Sequence, residues 1–218
     1  MIKETELQKE YNNFCENTSS SKQDELCGNN YIFELEKFIL SSVLNAKSIL
    51  DIGCGTGHRM FDYYSKVDIQ FKGVEKFLNL INTSRYKNSI ISADLGDSSF
   101  LTEVNNKLDG FEYDAVVCFG GVVNGFLNPT IMKCGWENLF SLTKGKCQLV
   151  ISFISNKQVF DNSETGSAYQ LNTDFPYQYL YSKSEILNIL KINNVNVKYI
   201  LQEYTYQDFI LIFLVIDQ

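Results

Sequence analysis

Histidine is nearly absent from the sequence, since His58 is the only one among 218 residues. The six cysteines include no pair with C-x-x-C spacing, so the ligands of a structural zinc site are missing. Cys118 and Cys147 lie within apolar runs, where a thiol behaves as a small buried hydrophobe. These features indicate a reducing compartment and a protein without a metal centre.

Long apolar segments are also lacking. The strongest one, FILIFLVID at 209–217, is too short to span a bilayer. The N-terminal segment MIKETELQKEYNNF is charged and has no apolar stretch, unlike a signal peptide. We therefore expect a cytoplasmic protein that does not contact membranes.

An excess of positive charge is lacking too. Lysine and arginine number 19 against 26 acidic residues, and the net charge is −7. Nucleic-acid partners need cations opposite their phosphates, so this balance disfavours DNA and RNA. The chain is 44% hydrophobic and 14% aromatic, which is enough to form the core of one folded domain.

The chain divides into residues 1–30 and 31–218. The first part holds a predicted helix at about 3–14 and a polar link at 15–30, and together they form a candidate lid. The second part begins with a helical pattern and then alternates apolar runs with further helical patterns. Strands are predicted at 47–53, 71–76, 89–95, 113–121 and 147–155, with helices at about 57–66, 77–86, 97–108 and 129–143.

The C-terminal region adds a helix and a hairpin. Ser182 is followed three residues later by Glu185, the spacing of a capping box, at the start of a helical pattern. Two apolar runs follow at 195–206 and 208–217, and only a short turn separates them, which predicts an antiparallel pair. The fold class is therefore α/β: a Rossmann-like doubly wound sheet, mostly parallel, with a C-terminal antiparallel hairpin.

The sequence ILDIGCGTGHRM (49–60) places three glycines at alternate positions after the first strand: Gly53, Gly55 and Gly57. Glycine accepts positive φ and lets the backbone approach a ligand at the carboxyl end of a strand. Dinucleotide-binding loops have G-x-G-x-x-G, whereas this loop has G-x-G-x-G. The spacing favours another adenosyl ligand over a nicotinamide dinucleotide.

Two acidic residues follow the next two strands. Glu75 lies 22 residues after Gly53, where a carboxylate can accept hydrogen bonds from ribose hydroxyls, although it also fits a surface glutamate beside Lys76. Asp94 ends the third strand, where it suits an exocyclic amine such as that of adenine, or a helix cap.

The motifs LDIGCGTG, GVEKF, SADLGD and YDAVVCFGGVVNGF resemble, in this order, the cofactor motifs of class I S-adenosylmethionine-dependent methyltransferases. The resemblance covers about residues 31–218 and implies the seven-stranded methyltransferase fold, S-adenosyl-L-methionine as cofactor and S-adenosyl-L-homocysteine as product. It implies that the three glycines approach the methionine part and that Asp51 orients the loop or reaches the amino group. It also implies a ribose contact from Glu75, an adenine site at Asp94 and Leu95, and a sulfonium side lined by Phe119 and Gly120.

The end of the fourth strand separates classes of methyl acceptor. Enzymes that methylate base amines resemble one another in an Asn/Asp-Pro-Pro-aromatic turn there, and CFGGVVNGF lacks proline. Catechol-type enzymes need carboxylates at that position for magnesium, and Asp114 lies at the opposite end of the strand. The resemblance therefore implies a small-molecule acceptor methylated on O or N, without a metal.

Aromatic residues at 161–183 suggest an acceptor site. We predict acceptor contacts from Asn124, Tyr177 and Tyr179, and from Tyr11 if the N-terminal helix covers the cofactor. The alternating aromatics fit equally well a plain edge strand with one buried face. We expect a structural or exposed position for His58, and the oligomeric state stays open. Three other functions stay open: a non-catalytic binding module, an NAD-binding oxidoreductase and a protein methyltransferase.

Overall fold

The computed structural model describes residues 4–18, 30–43, 46–143, 147–170, 177–195, 199–206 and 209–216. The helices in these ranges are α1 (Glu4–Asn17), α2 (Asn30–Val43), α3 (His58–Lys66), α4 (Leu78–Thr83), α5 (Phe100–Lys107), α6 (Pro129–Leu142), α7 (Lys157–Asn162) and α8 (Lys183–Ile192). The strands are β1 (Ser48–Ile52), β2 (Gln70–Glu75), β3 (Ile90–Ser92), β4 (Ala115–Cys118), β5 (Gln148–Asn156), β6 (Ser167–Gln170), β7 (Tyr177–Leu180), β8 (Tyr199–Tyr206) and β9 (Phe209–Ile216). None of the helices described is both long enough and apolar enough to cross a membrane.

The main sheet has seven strands in the order β3-β2-β1-β4-β5-β9-β8. The first five strands run parallel, and β9 is antiparallel to both β5 and β8. The predicted doubly wound sheet with an antiparallel C-terminal hairpin is confirmed. The strand order reverses between β1 and β4, and ligands of open α/β sheets bind at such a switch point.

Both faces of the sheet are buried, as a parallel sheet requires. Apolar residues of α5, α6 and α8 pack on one face, with Trp136 and Phe100 among the largest buried side chains. Residues of α2, α3 and α4 pack on the other face, around Phe61 and Tyr64. Cys118 lies in the sheet and Cys147 beside it, and both are buried as predicted.

Local signals in the sequence explain where the helices begin. Asn128 caps α6 because its side chain accepts from the backbone N–H of Thr130 at 2.9 Å, and Pro129 occupies the first position. Ser182 caps α8 by accepting from the N–H of Glu185 at 3.1 Å. In a full capping box the Glu185 carboxylate would also accept from the backbone N–H of Ser182. Here it accepts instead from Tyr179 Oη at 2.9 Å.

A second, two-stranded sheet forms from the region between β5 and α8. β6 and β7 pair antiparallel, with Gln170 opposite Tyr177 and Ser167 opposite Leu180. The aromatic pattern at 161–183 predicts either an acceptor site or a plain edge strand, and it does not predict the partner strand β6. The predicted link at 15–30 lies largely outside the described residues, which resume at residue 30.

Candidate functional site

A cavity of about 220 Å³ opens at the carboxyl ends of the parallel strands. It lies at the switch point between β1 and β4, and α1 forms part of its wall. All nine residues assigned to the cofactor line it: Asp51, Gly53, Gly55, Gly57, Glu75, Asp94, Leu95, Phe119 and Gly120. Parallel topology explains this convergence, because the carboxyl ends of all five parallel strands meet at one edge.

The three glycines of the loop after β1 all adopt the left-handed conformation, with φ of 70°, 59° and 74° at Gly53, Gly55 and Gly57. A Cβ atom on Gly57 would lie 2.4 Å from the Phe61 ring, so packing as well as φ requires glycine there. Nothing lies within 4 Å of a Cβ on Gly55, so the loop leaves open space at its tip. The loop is therefore packed against Phe61 of α3 at Gly57 and open at Gly55.

Glu75 lies at the end of β2 and is 5% exposed. Its Oε2 accepts from the backbone N–H of Gly55 at 2.9 Å, and its Oε1 accepts from the N–H groups of Lys76 and Phe77 at 2.8 and 2.9 Å. Burial raises the pKa of Glu75, and the three backbone donors partly offset that shift. The carboxylate therefore braces the glycine loop while it lines the cavity.

Asp51 lies within β1 and is 3% exposed. The hydroxyl of Tyr64 donates to its Oδ2 at 3.1 Å. Burial raises the pKa of Asp51 to about 8, against the lowering effect of the Tyr64 hydrogen bond. A cationic ligand group beside Asp51 would favour the ionised carboxylate.

A second buried acid, Glu36, reaches the cavity from α2 and is 1% exposed. Its Oε1 accepts from the N–H of Gly120 and from the hydroxyl of Ser152, each at 2.9 Å. Arg59 Nη2 lies 3.4 Å from Oε2, and its guanidinium stands 5.2 Å from the centroid of the Phe33 ring. Burial raises the pKa of Glu36, while Arg59 opposes the shift.

Asp94 is paired with Lys76, whose Nζ lies 2.9 Å from Oδ2. The other carboxylate oxygen accepts from the N–H of Gly96 at 2.9 Å, which fixes the turn after β3. Leu95 is 6% exposed and supplies an apolar surface beside this pair. The pair is about one-third exposed, so its carboxylate is accessible from the cavity.

The helix α1 is attached across the cavity through Gln8. Gln8 Nε2 donates to the carbonyl of Gly125 at 3.0 Å, and Oε1 accepts from the N–H of Leu127 at 2.8 Å. Tyr11 packs so closely on Gly125 that a Cβ there would lie 2.6 Å from its ring. Tyr11 therefore lines the cavity, at the end of β4.

No protein-family model matches the sequence, and no curated protein matches it. Solved structures do match it. A 1,6-didemethyltoxoflavin-N1-methyltransferase from Burkholderia thailandensis, solved with S-adenosylhomocysteine, has a TM-score of 0.63 and 13% identity, over 100% of this chain and 92% of that one. An amino pentose methyltransferase from Micromonospora echinaspora matches with 0.59 and 12%, over 85% and 90%. A magnesium protoporphyrin IX methyltransferase from Synechocystis matches with 0.58 and 14%, over 91% and 84%.

The chain has the methyltransferase fold. At these identities the likeness shows the fold alone, and the finer assignments depend on the site itself. In this methyltransferase fold, the cavity at the switch point is the candidate cofactor site. Within the described part of the chain, no group of three or more His, Cys, Asp or Glu side chains could hold a metal ion.

Of the four residues predicted to contact the acceptor, only Tyr11 lines the cavity of this methyltransferase fold. Asn124 is 0% exposed, and its amide bonds the backbone of Ile154 in both directions, at 2.8 and 2.9 Å, and the carbonyl of Tyr179 at 2.6 Å. It ties β5 to β7, and it does not line the cavity. Tyr177 and Tyr179 do not line it either, whereas Gln178 between them does.

His58 begins α3 and lies outside the cavity lining. Its Nδ1 is 2.5 Å from Oγ1 of Thr56, and the residue is half-buried. This contact lies within the turn that joins the glycine loop to α3. The imidazole therefore stabilises the turn locally.

Among the cavity residues that the sequence does not predict are Gln8, Glu36, Arg59 and Gln178. Glu36 carries a usable signal, because it falls four residues after Ile32 and three before Ile39, on the apolar stripe of α2. An acid at a position with core spacing indicates a buried charge with a partner. Gln8 and Arg59 carry no such signal.

Proposed function

We propose that the protein is an S-adenosyl-L-methionine-dependent methyltransferase that transfers the methyl group to an O or N atom of a small-molecule acceptor. The observation that supports this proposal most strongly is the glycine loop, which folds around buried Glu75 and leaves open space at Gly55. The loop lies at the switch point of a methyltransferase fold. The B. thailandensis, M. echinaspora and Synechocystis neighbours support a small-molecule acceptor, because they are methyltransferases of 1,6-didemethyltoxoflavin, of an amino pentose and of magnesium protoporphyrin IX.

Charge supports this cofactor over a dinucleotide. Three buried carboxylates line the cavity, from Glu36, Asp51 and Glu75, and the pKa of each is raised by burial. A ligand with a sulfonium and an ammonium group would offset that cost, whereas the phosphates of a dinucleotide would increase it. The G-x-G-x-G spacing points the same way.

The proposal assigns a role to each side of the cavity. Arg59 would bind the carboxylate of the cofactor, and Asp51 and Glu36 would face its ammonium group. Glu75 would accept from the ribose hydroxyls through lone pairs left by its backbone donors, since a carboxylate has about four acceptor positions. Asp94 would meet the adenine amine, with Leu95 against the ring and Phe119 and Gly120 on the sulfonium side.

When bound, S-adenosyl-L-methionine supplies a methyl group that its sulfonium already activates for in-line displacement. The protein's own contribution is positioning and the exclusion of water. Tyr11 and Phe126 line the cavity at the end of β4, where they can shield the reacting atoms from solvent. S-Adenosyl-L-homocysteine is the expected product.

Calorimetric titration tests the proposal. We expect S-adenosyl-L-methionine and S-adenosyl-L-homocysteine to bind near micromolar concentrations, and NAD not to bind. Binding of NAD without binding of the sulfonium compound would overturn the proposal. Transfer of label from methyl-labelled cofactor to a metabolite extract then separates an enzyme from a non-catalytic module, because a module binds cofactor but transfers no label.

A further inference from the structure

Gln178 has a buried polar atom that no residue in the described part of the chain satisfies. It lies in β7, where the pleat turns successive side chains to opposite sides. Tyr179 points to the side of Glu185, to which its hydroxyl donates at 2.9 Å, whereas Gln178 lines the cavity. Its Oε1 is inaccessible to solvent and has no hydrogen-bond partner among the residues that the structure describes.

An unpaired buried carbonyl oxygen is costly, at about 1–3 kcal/mol, and such atoms are rare in native proteins. Replacing Gln178 with an apolar residue would remove this energetic cost without disturbing β7, because β7 pairs with β6 through backbone groups only. A donor supplied by a ligand would also remove it. Gln178 lines the cavity, and a rotation of its amide toward the cavity would let a donor on a bound ligand satisfy Oε1.

The position of β7 indicates which ligand this is. β7 packs on the turn Val122–Gly125 after β4, where Asn124 Nδ2 donates to the carbonyl of Tyr179 at 2.6 Å. Tyr11 packs on Gly125 of the same turn. Gln178 therefore lies on the β4 side of the cavity, whereas the residues assigned to ribose and adenine follow β2 and β3.

We infer that Gln178 binds the methyl acceptor, by accepting a hydrogen bond at Oε1 from the N–H or O–H group that becomes methylated. The inference rests on the proposed function. Tyr11, Val122 and Phe126 supply aromatic and aliphatic wall on this side of the cavity, so the acceptor is a small molecule with an apolar body and one such donor. Gln178 orients the nucleophile and selects it. The methyl group leaves the sulfonium for that N or O atom, S-adenosyl-L-homocysteine is released, and the displaced proton passes to water because an amide does not accept it.

Pairs of probes in which methyl groups cap the donor test the inference. Protein saturated with S-adenosyl-L-homocysteine is titrated with phenol and with anisole, and then with aniline and N,N-dimethylaniline. We expect the compound with the donor to bind about tenfold more tightly or better, because its capped partner leaves Oε1 unpaired. Equal binding within both pairs, or no binding of any probe at millimolar concentration, would overturn the inference.

Three variants assign the effect to one atom. Gln178→Met removes the acceptor at similar length and should abolish the discrimination, whereas Gln178→Glu keeps an acceptor oxygen and should retain it. Tyr177→Phe, on the same strand but off the cavity, is the matched control and should behave as the wild type. Discrimination that survives in Gln178→Met contradicts the assignment.

Stability and cofactor affinity separate this inference from the proposed function. Ligand-free Gln178→Met should unfold at the wild-type free energy or higher, because it loses an unsatisfied atom, and a lower value would indicate a structural role. Tyr177→Phe, which lies off the cavity, should bind S-adenosyl-L-homocysteine as the wild type does. If the wild type does not bind it, the proposed function fails first.

Discussion

The backbone N–H of Gly55 donates to Oε2 of Glu75 across 2.9 Å. The glycine loop and the acid of the second strand, read separately from the sequence, thus form one hydrogen-bonded unit. Glu75 has two jobs in this unit, because it holds the open tip of the loop and lines the cavity. Substitution at Glu75 should therefore change both stability and affinity.

The Glu75→Ala variant should lose both stability and affinity for the cofactor. Three backbone N–H groups lose their acceptor, which should lower the free energy of unfolding by about 2–4 kcal/mol. Glu75→Gln keeps one oxygen acceptor, so it should remain closer to the wild type in urea unfolding and still weaken S-adenosyl-L-homocysteine binding at least tenfold. Wild-type affinity in Glu75→Gln would exclude the ribose contact.

The pair of Glu36 and Arg59 should show coupling. Arg59→Met should lower the free energy of unfolding by about 1–3 kcal/mol, because it leaves Glu36 buried without its cation. Adding Glu36→Gln should recover most of that loss, and a double-mutant cycle in urea measures the coupling.

The exposed pair of Lys37 and Glu34 on the same helix is the matched control. Lys37→Met should change the free energy of unfolding by less than about 1 kcal/mol, because an exposed ion pair contributes little. Arg59→Met should also weaken S-adenosyl-L-homocysteine binding, whereas Lys37→Met should not. Equal effects of the two substitutions would contradict the role of Arg59.

Alanine substitutions at two positions of the glycine loop should affect different properties. Gly57→Ala should mainly lower stability, and Gly55→Ala should mainly abolish binding. Gly57→Ala combines a φ of 74° with a contact of 2.4 Å to Phe61, so it should destabilise the fold by several kcal/mol. Gly55→Ala has free space around its Cβ and should cost only about 1–2 kcal/mol. Its methyl group would enter the cavity, so binding of S-adenosyl-L-homocysteine should be lost. Gly55→Ala that binds normally would place the ligand elsewhere.

The stability of the ligand-free protein should fall as pH rises above the acidic range. Asp51 has a pKa of about 8 in the folded state and about 3.9 when unfolded, so the native state binds more protons between these values. By linkage, the free energy of unfolding then decreases with pH, by up to about 1.4 kcal/mol per unit for this group.

The Asp51→Asn variant should show a smaller slope between about pH 5 and pH 7, measured by urea unfolding. The slope should not vanish, because burial also raises the pKa of Glu36 and of Glu75. Asp62→Asn is the control, since hydrogen bonds from Tyr86 and Arg85 lower the pKa of Asp62 and keep it ionised in this range. Parallel curves for Asp51→Asn and the wild type would contradict the raised pKa.

The cofactor side of the cavity could be predicted from the sequence because it depends on strand ends. Parallel topology brings Asp51, Glu75 and Asp94 to one edge without any knowledge of side-chain packing. The apolar stripe of α2 predicts that Glu36 is buried, but not that it reaches this cavity. Arg59 carries no such signal, because the rotation of its helix against the sheet depends on long-range packing. The same limit applies to Gln8, which bonds residues about 120 positions away.

The acceptor side illustrates a different limit. The alternation in YQYL correctly separates Gln178 from Tyr177 and Tyr179, but it does not say which face meets the cavity. Pairing with β6 and contact with the turn Val122–Gly125 decide that, and both are long-range. Aromatic content favours the tyrosines, whereas the structure places the glutamine at the cavity.

The strand β9 lies between β5 and β8, and seven of its eight residues are buried. Its sequence, FILIFLVI, pairs on one side with β8, which directly precedes it in the chain. On the other side it pairs with β5, which is far away in the sequence. We therefore expect the local hairpin to form before it docks on β5, because docking closes a long loop. Until then, two apolar sheet edges are exposed to other chains. Yield during refolding should consequently depend on protein concentration, through a segment far from the cavity.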